Sequence, residues 1–140
     1  MTRAIVVVRD QEGEWRLYVH GDGYPGWLGQ HIWDFVHLAK RTDPNCRQYA
    51  GDSAPYDSPN ATREADKLAC DLITYLNTRD KYHRVYLTTR DPAKEAETEW
   101  GTDIEWVYYI NIGSYISVQV AQCAPKQLFS PKDLVDVLRK

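Results

Sequence analysis

The stretch His20–Gly29 reads HGDGYPGWLG and holds four glycines and one proline. It separates a predicted strand that ends at His20 from an apolar pattern typical of an amphipathic helix. Glycine occurs where the backbone needs unusual angles or where another group approaches it closely. The first N–H groups of a helix lack intrahelical partners, so a loop at this point can bind an anion. The stretch therefore predicts a strand–loop–helix unit that organises the chain.

The segments on either side extend this unit. Residues 3–9 are β-branched and residues 15–20 alternate between apolar and polar side chains, which predicts a hairpin around a polar turn. The alternation places Tyr18 and His20 on one face of the second strand. Residues 27–41 have helical spacing, with Trp33 at the margin of the apolar face. The predicted buried face of this helix consists of Leu28, Ile32, Phe35, Val36 and Ala39.

The rest of the chain completes a single domain over residues 1–140. A long turn-rich loop is predicted at 42–58, and a second helix from Ser58 and Pro59 to about Asn77. Three more strands are predicted, at residues 83–89, 104–112 and 115–120. Ser130-Pro131-Lys132-Asp133 is typical of a helix cap before Leu134. The order ββααβββα predicts an α+β fold, with a mostly antiparallel sheet of about five strands and helices on one face.

Composition limits the function classes. The chain has 140 residues and a net charge of −3, which argues against direct nucleic-acid binding through bulk charge. No membrane-length apolar run or signal-peptide pattern occurs, so a cytoplasmic protein is expected. The three cysteines, Cys46, Cys70 and Cys123, are widely spaced and predict free thiols. Ten tyrosines and five tryptophans, against two phenylalanines, suit half-exposed sheet margins or a protein interface.

Two interpretations of the glycine loop remain open. It matches neither the phosphate loop ending in Gly-Lys-Ser/Thr nor the dinucleotide-binding fingerprint. Its backbone N–H groups can still converge on a ligand near Gly23, Gly26 and Gly29, with His20, Asp22 and Tyr24 around that point. Alternatively, the loop is an architectural turn in which Asp22 accepts local backbone bonds and Tyr24 covers the core.

Other constellations carry weaker signals. The directions of His31, Asp34 and His37 fan apart around the helix, so no metal site is predicted. No catalytic residues and no cofactor are predicted either. The strand Trp106–Tyr109 is ambiguous: Tyr109 can lie on a helix-free sheet face suited to a protein partner or a stacked base, or it can belong to an ordinary sheet surface.

The loop also carries a family resemblance. His20, Asp22-Gly23-Tyr24-Pro25 and Gly29 resemble the pattern R-H-x-D-G-Y-P-x-x-x-G of a group of small phage and mobile-element proteins, and the segment 103–110 resembles a later strand of that group. This chain has Val19 where the group commonly has arginine. The resemblance implies a cytosolic accessory protein that acts by stoichiometric binding, for example by inhibiting a host defence system.

These observations favour a non-enzymatic binding protein of phage or prophage type, whose partner is a host protein or a small anionic, nucleotide-like ligand. The first alternative is a small enzyme acting on a phosphorylated or nucleotide substrate, with His20 and Asp22 as an acid/base or orienting pair. The second is a homodimeric structural or assembly protein that pairs through an edge strand. The candidate binding residues are His20, Asp22, Gly23, Tyr24, Gly26, Gly29, Trp33 and Tyr109.

Overall fold

A computed structural model describes residues 1–37, 65–82, 84–113 and 116–139. The fold is α+β, as predicted, and is built on one sheet with helices packed against it. The strands are β1 (Ala4–Arg9), β2 (Glu14–Val19), β3 (Val85–Thr88), β4 (Trp106–Ile112), β5 (Ile116–Ala124), β6 (Gln127–Leu128) and β7 (Lys132–Asp133). The helices are α1 (Gln30–His37), α2 (Ala65–Arg79), α3 (Pro92–Ala96) and α4 (Leu134–Leu138).

The sheet has the order β3-β2-β1-β4-β5-β6, and β7 also pairs with β5. Its pairings are antiparallel except for the central one, in which β1 runs parallel to β4 with Val7 opposite Tyr109. A parallel pair needs a long crossover connection, and the chain from β2 to α3 supplies it. The predicted antiparallel character of the sheet is confirmed, and the short strands β6 and β7 extend it beyond the five expected strands.

One face of the sheet carries the main core. Ala4, Val6 and Val8 of β1 point into it, together with Tyr108 and Ile110 of β4. Helices α1, α2 and α4 cover this face with an apolar stripe from each. The predicted buried side chains of the first helix, Leu28, Ile32, Phe35 and Val36, are all buried, whereas Ala39 lies outside the described residues.

The opposite face of the sheet is partly covered by the segment 89–105, which we call the strap. Ile5, Val7, Tyr18 and Val107 of the sheet form a second apolar cluster there with Ile104 of the strap. Ion pairs of Arg90 with Glu95 and Asp103, and of Arg3 with Asp103, hold the strap together and tie it to β1. This face of the sheet is therefore partly buried.

Two predicted boundaries differ from the structure. A π-helical turn over Pro25–Gly29 precedes α1, so regular α-helix begins at Gln30. The cap predicted at Ser130–Asp133 is wrong: Lys132 and Asp133 pair with β5, and Asp133 precedes α4 without a side-chain cap bond. Backbone pairing with β5 thus overrides the local cap pattern. The predicted loop at 42–58 and Cys46 lie outside the described residues.

Candidate functional site

The glycine loop lies where β2 ends and β1 begins. The Gly23 N–H donates to the Thr2 carbonyl at 3.0 Å, and the Gly23 carbonyl accepts from the buried Tyr108 hydroxyl at 2.7 Å. The Tyr24 carbonyl accepts from the N–H groups of Trp27 and Leu28 at 3.1 and 3.0 Å. The N–H groups of Gly23, Trp27 and Leu28, which could otherwise bind a ligand, therefore already donate to backbone carbonyls.

The glycines themselves mark close approaches. A Cβ at Gly23 would lie 2.7 Å from the Cβ of Ala4, and one at Gly29 would lie 3.0 Å from Leu134. At Gly26 the nearest atom would be an ordinary 3.5 Å away, on the Tyr24 ring. Gly23 and Gly29 are thus glycines because strand β1 and helix α4 pack directly against the backbone. These contacts support the architectural interpretation of the loop.

Asp22 and Arg84 connect the loop to the start of β3. Asp22 has a positive φ of 57°, and its carboxylate lies 3.4 Å from Arg84 Nη2. The buried Asp80 accepts from Arg84 Nε at 3.0 Å and from the N–H groups of Tyr82 and Arg84. Burial alone would raise the pKa of the Asp80 carboxyl, but these hydrogen bonds outweigh burial and lower the pKa. Asp80 therefore stays ionised and anchors Arg84 over the loop.

The proposed acid/base pair of His20 and Asp22 is not formed as a pair. His20 Nδ1 shares a 2.7 Å hydrogen bond with the Tyr18 hydroxyl on the strap side of the sheet. Asp22 instead pairs with Arg84. Burial raises the pKa of Tyr18, so its hydroxyl stays protonated at neutral pH. The two candidate residues thus have different partners.

Tyr109 lies on the strap side of the sheet, as the strand alternation predicts. Its ring is half-buried beside Leu128, and the Arg9 guanidinium lies 4.7 Å from the ring centroid. Arg9 Nε also donates to Asn111 Oδ1 at 2.5 Å. A stacked base would have to displace Arg9, so Tyr109 is a cross-strand aromatic residue rather than an open platform.

The remaining candidate residues do not converge on one point. Tyr24 and Gly26 are exposed, while Trp33 is half-buried and packs against the main core, with the sheet between it and Tyr109. Within the described ranges, no three His, Cys, Asp or Glu side chains are placed to hold a metal ion. Cys70 is exposed and Cys123 is buried. The candidate residues predicted from the sequence therefore do not form a single site. Most lie in the glycine loop, whereas Trp33 and Tyr109 lie on opposite faces of the sheet.

The sequence did not single out the outer edge of the sheet at β3. Trp15, Tyr82, Tyr86 and Leu87, which we call the β3 margin, keep 46% to 62% of their surface exposed. Trp15 and Leu87 line an open groove of about 640 Å³ together with Arg16 and Thr88. Exposed aromatic and apolar side chains beside an arginine are typical of binding hot spots. The signal in the sequence was the pair Tyr86-Leu87 in a short strand, which pattern alone cannot assign to an edge.

The backbone of this edge is closed at one of its two outward-facing residues. His20 N–H donates to Arg84 C=O, so the backbone groups of Val85 and Leu87 face away from β2. The side-chain amide of Asn77 donates to the Val85 carbonyl at 2.9 Å and accepts from its N–H at 3.1 Å, as a neighbouring strand would. Covering the backbone of an edge strand is one way in which natural sheets limit edge-to-edge pairing. The β3 margin therefore offers exposed side chains beside a strand edge whose backbone is covered at Val85.

No family model, curated protein or solved structure matches the chain. None of the helices in the described part of the chain is long and apolar enough to span a membrane.

Proposed function

We propose that the chain is a non-enzymatic binding protein that recognises another protein through the β3 margin. The observation that carries the proposal is the exposure of Trp15, Tyr82, Tyr86 and Leu87 around one edge strand. A fully buried aromatic side chain covers about 150–250 Å². Trp15 and Leu87 lie on the helix side of this edge, and Tyr86 lies on the strap side beside Tyr18. Each side then offers roughly 100–200 Å² of exposed apolar surface, which a partner that clasps the edge would cover from both sides.

Two further observations support protein recognition over the alternatives. The N–H groups of Gly23, Trp27 and Leu28 donate to backbone carbonyls, which weakens the support for a nucleotide-like ligand in the glycine loop. The Asn77 amide occupies the backbone of Val85, one of the two outward-facing residues of β3, and so shortens the edge available to a strand-paired dimer. The resemblance to phage and mobile-element proteins makes a host protein, and a defence-system component in particular, the first partner to test.

The test is affinity capture of the tagged full chain from a bacterial lysate, read by native mass spectrometry. We compare the wild type with a double variant, Trp15→Ala and Leu87→Ser. The control is Phe129→Ala, which removes an equally exposed aromatic side chain outside the margin. Thermal unfolding verifies that each variant is folded.

The proposal expects a protein mass that is captured by the wild type and the control and is lost with the double variant. A complex that survives the double variant unchanged, or a captured small molecule with no protein, contradicts it.

A further inference from the structure

The outer backbone of β3 is open at Leu87. The His20 N–H donates to the Arg84 carbonyl, and this phase of the pairing turns the backbone groups of Val85 and Leu87 away from β2. The Asn77 amide occupies both groups of Val85. In the part of the chain that the structure describes, no hydrogen bond engages the N–H or the carbonyl of Leu87. This residue therefore keeps one free donor and one free acceptor at the edge of the sheet.

Exposed side chains lie on both faces of the sheet around this position. Leu87 is opposite Leu17 of the main core, which places its side chain on the helix side. Tyr86 is opposite Tyr18 of the second cluster, which places its ring on the strap side. The side chains of Leu87 and Tyr86 are 50% and 53% exposed. A partner that covers the β3 margin must therefore reach both faces of this edge.

An extended strand is the kind of segment that meets both requirements. Its side chains alternate between the two faces of a sheet, and its backbone N–H and C=O groups lie in the plane of the sheet. Added at an edge, such a segment gains main-chain hydrogen bonds and places alternate side chains against each face. A surface that packed on one face alone would leave the other face exposed and the Leu87 backbone unpaired.

The positions two residues before and after Leu87 limit the register of such pairing. The Val85 carbonyl accepts from the Asn77 side chain at 2.9 Å. The Thr89 carbonyl accepts from Arg16 Nη1 at 2.9 Å. A segment shifted by two residues in either direction would meet a carbonyl that is already bonded. The open position at Leu87 thus favours one register.

We propose that the partner bound by the β3 margin contributes an extended segment, which pairs with β3 at Leu87 and adds a strand to the sheet. One apolar side chain of the segment lies beside Trp15 and Leu87 on the helix side, and the side chains next to it lie beside Tyr86 on the strap side. The inference rests on the proposed function, because it names the form of the segment that the β3 margin recognises.

The test uses a display library of random linear nonapeptides, panned on the full chain. Peptides that bind the wild type but not the double variant Trp15→Ala and Leu87→Ser are synthesised with a fluorescent label. Their affinity is measured by anisotropy for Leu87→Pro and Leu87→Ala. Both variants lose the leucine side chain, but only proline removes the N–H, and an edge strand tolerates proline where the N–H faces solvent. Thermal unfolding verifies that both are folded.

Two measurements on the wild type keep the test independent of the proline variant. Each peptide amide is methylated in turn, because in either strand direction one peptide N–H donates to the Leu87 carbonyl. Amide hydrogen exchange of Leu87 is followed by NMR with and without the peptide, with Tyr86, which already pairs with β2, as the internal control.

We expect Leu87→Pro to bind the peptide about 5-fold or more weakly than Leu87→Ala does, because it lacks the hydrogen-bond donor. Methylation of one central peptide amide should weaken binding by a similar factor, whereas methylation of the amides on either side should change it less than about 2-fold. Exchange of the Leu87 N–H should slow about 10-fold or more on binding, with that of Tyr86 unchanged.

The inference is overturned if panning yields no peptide that depends on the β3 margin. It is also overturned if Leu87→Pro and Leu87→Ala bind alike and no single peptide amide is sensitive to methylation. Either result leaves the proposed function standing, since that proposal fails only when capture of the partner survives the loss of Trp15 and Leu87.

Discussion

The glycine loop and the loop Glu97–Thr102, which we call the Trp100 loop, are both short, contain glycine and are fixed by backbone hydrogen bonds, yet they place their side chains in opposite ways. In the glycine loop, Gly23 and Gly29 let β1 and α4 approach the backbone, and the loop is locked into the fold. In the Trp100 loop, Gly101 packs against Pro125, and the adjacent indole is left in solvent.

The difference shows that a concentration of glycines is evidence of close packing before it is evidence of a ligand. The Gly23 N–H donates to the Thr2 carbonyl, and the Gly23 carbonyl accepts from the Tyr108 hydroxyl. The backbone of the Trp100 loop is also held by hydrogen bonds, through the N–H groups of Gly101 and Thr102, but the Trp100 side chain is exposed. Binding capacity therefore follows from what a fixed loop exposes, and fold stability follows from what it buries.

The largest effect that tests this comparison is loss of the anchor beneath the glycine loop. Asp80→Ala leaves the Arg84 guanidinium and two backbone N–H groups without their acceptor. We expect a loss of about 3 kcal/mol in the free energy of unfolding, measured in urea. Asp136→Ala, an exposed control on α4, should cost less than about 1 kcal/mol. Equal losses in both variants would show that the loop needs no anchor.

A smaller effect comes from the glycines themselves. Gly23→Ala forces the Ala4 side chain away from a 2.7 Å approach, so we expect a loss of about 2 kcal/mol in unfolding free energy. Gly26→Ala, in the same loop but with only a 3.5 Å contact, should change it by less than about 0.5 kcal/mol. If both variants unfold alike in urea, close packing does not explain the glycines.

Acid should loosen both regions, because each depends on ionised carboxylates. Hydrogen bonds from Arg90 lower the pKa of Glu95 below its ordinary 4.5, and the pKa of Asp80 is also lowered. A lowered folded-state pKa contributes stability above the unfolded-state pKa, and this stability is lost as the pH falls through the folded-state value.

We therefore expect unfolding free energy to fall as the pH drops below about 4. Glu95→Gln should be less stable than the wild type at neutral pH and should lose less on acidification. Urea unfolding across a pH series measures both slopes. Parallel slopes for the two proteins would contradict the role assigned to Glu95 in holding the strap.

The smallest expected effect is at Trp100. Because its side chain is 87% exposed, Trp100→Ala should change the unfolding free energy by less than about 0.5 kcal/mol. Thermal and urea unfolding measure this change. A loss comparable to that of Gly23→Ala would mean that the indole packs against the rest of the protein.

Much of this architecture could be predicted from local pattern. The β1–β2 hairpin, the buried stripe of α1 and the strand predicted over 104–112 follow from side-chain periodicity. The structure confirms the first two and begins the strand at Trp106. The parallel pairing of β1 with β4 could not be predicted, since it depends on contacts about a hundred residues apart. Nor could β7, because pairing with β5 overrides the capping pattern at 130–133.

The candidate site was harder to predict for a related reason. His20, Asp22, Tyr24 and the glycines were selected because they are unusual in sequence, and their partners turned out to be internal. Trp100 follows a glutamate-rich segment, and its exposure could not be predicted from the sequence. That exposure depends on the packing of Gly101 against Pro125. The sequence signal for the β3 margin was the tyrosine and tryptophan surplus, which indicates interfaces without locating them.

The central claim is that the glycine loop maintains the fold while the β3 margin binds a partner. The most direct test compares partner capture by two folded variants of the full chain. One carries Asp22→Asn and Tyr24→Ala in the loop, and the other carries Trp15→Ala and Leu87→Ser in the margin. We predict that the loop variant captures the partner as the wild type does and that the margin variant does not. Capture lost by the loop variant and retained by the margin variant would contradict the claim.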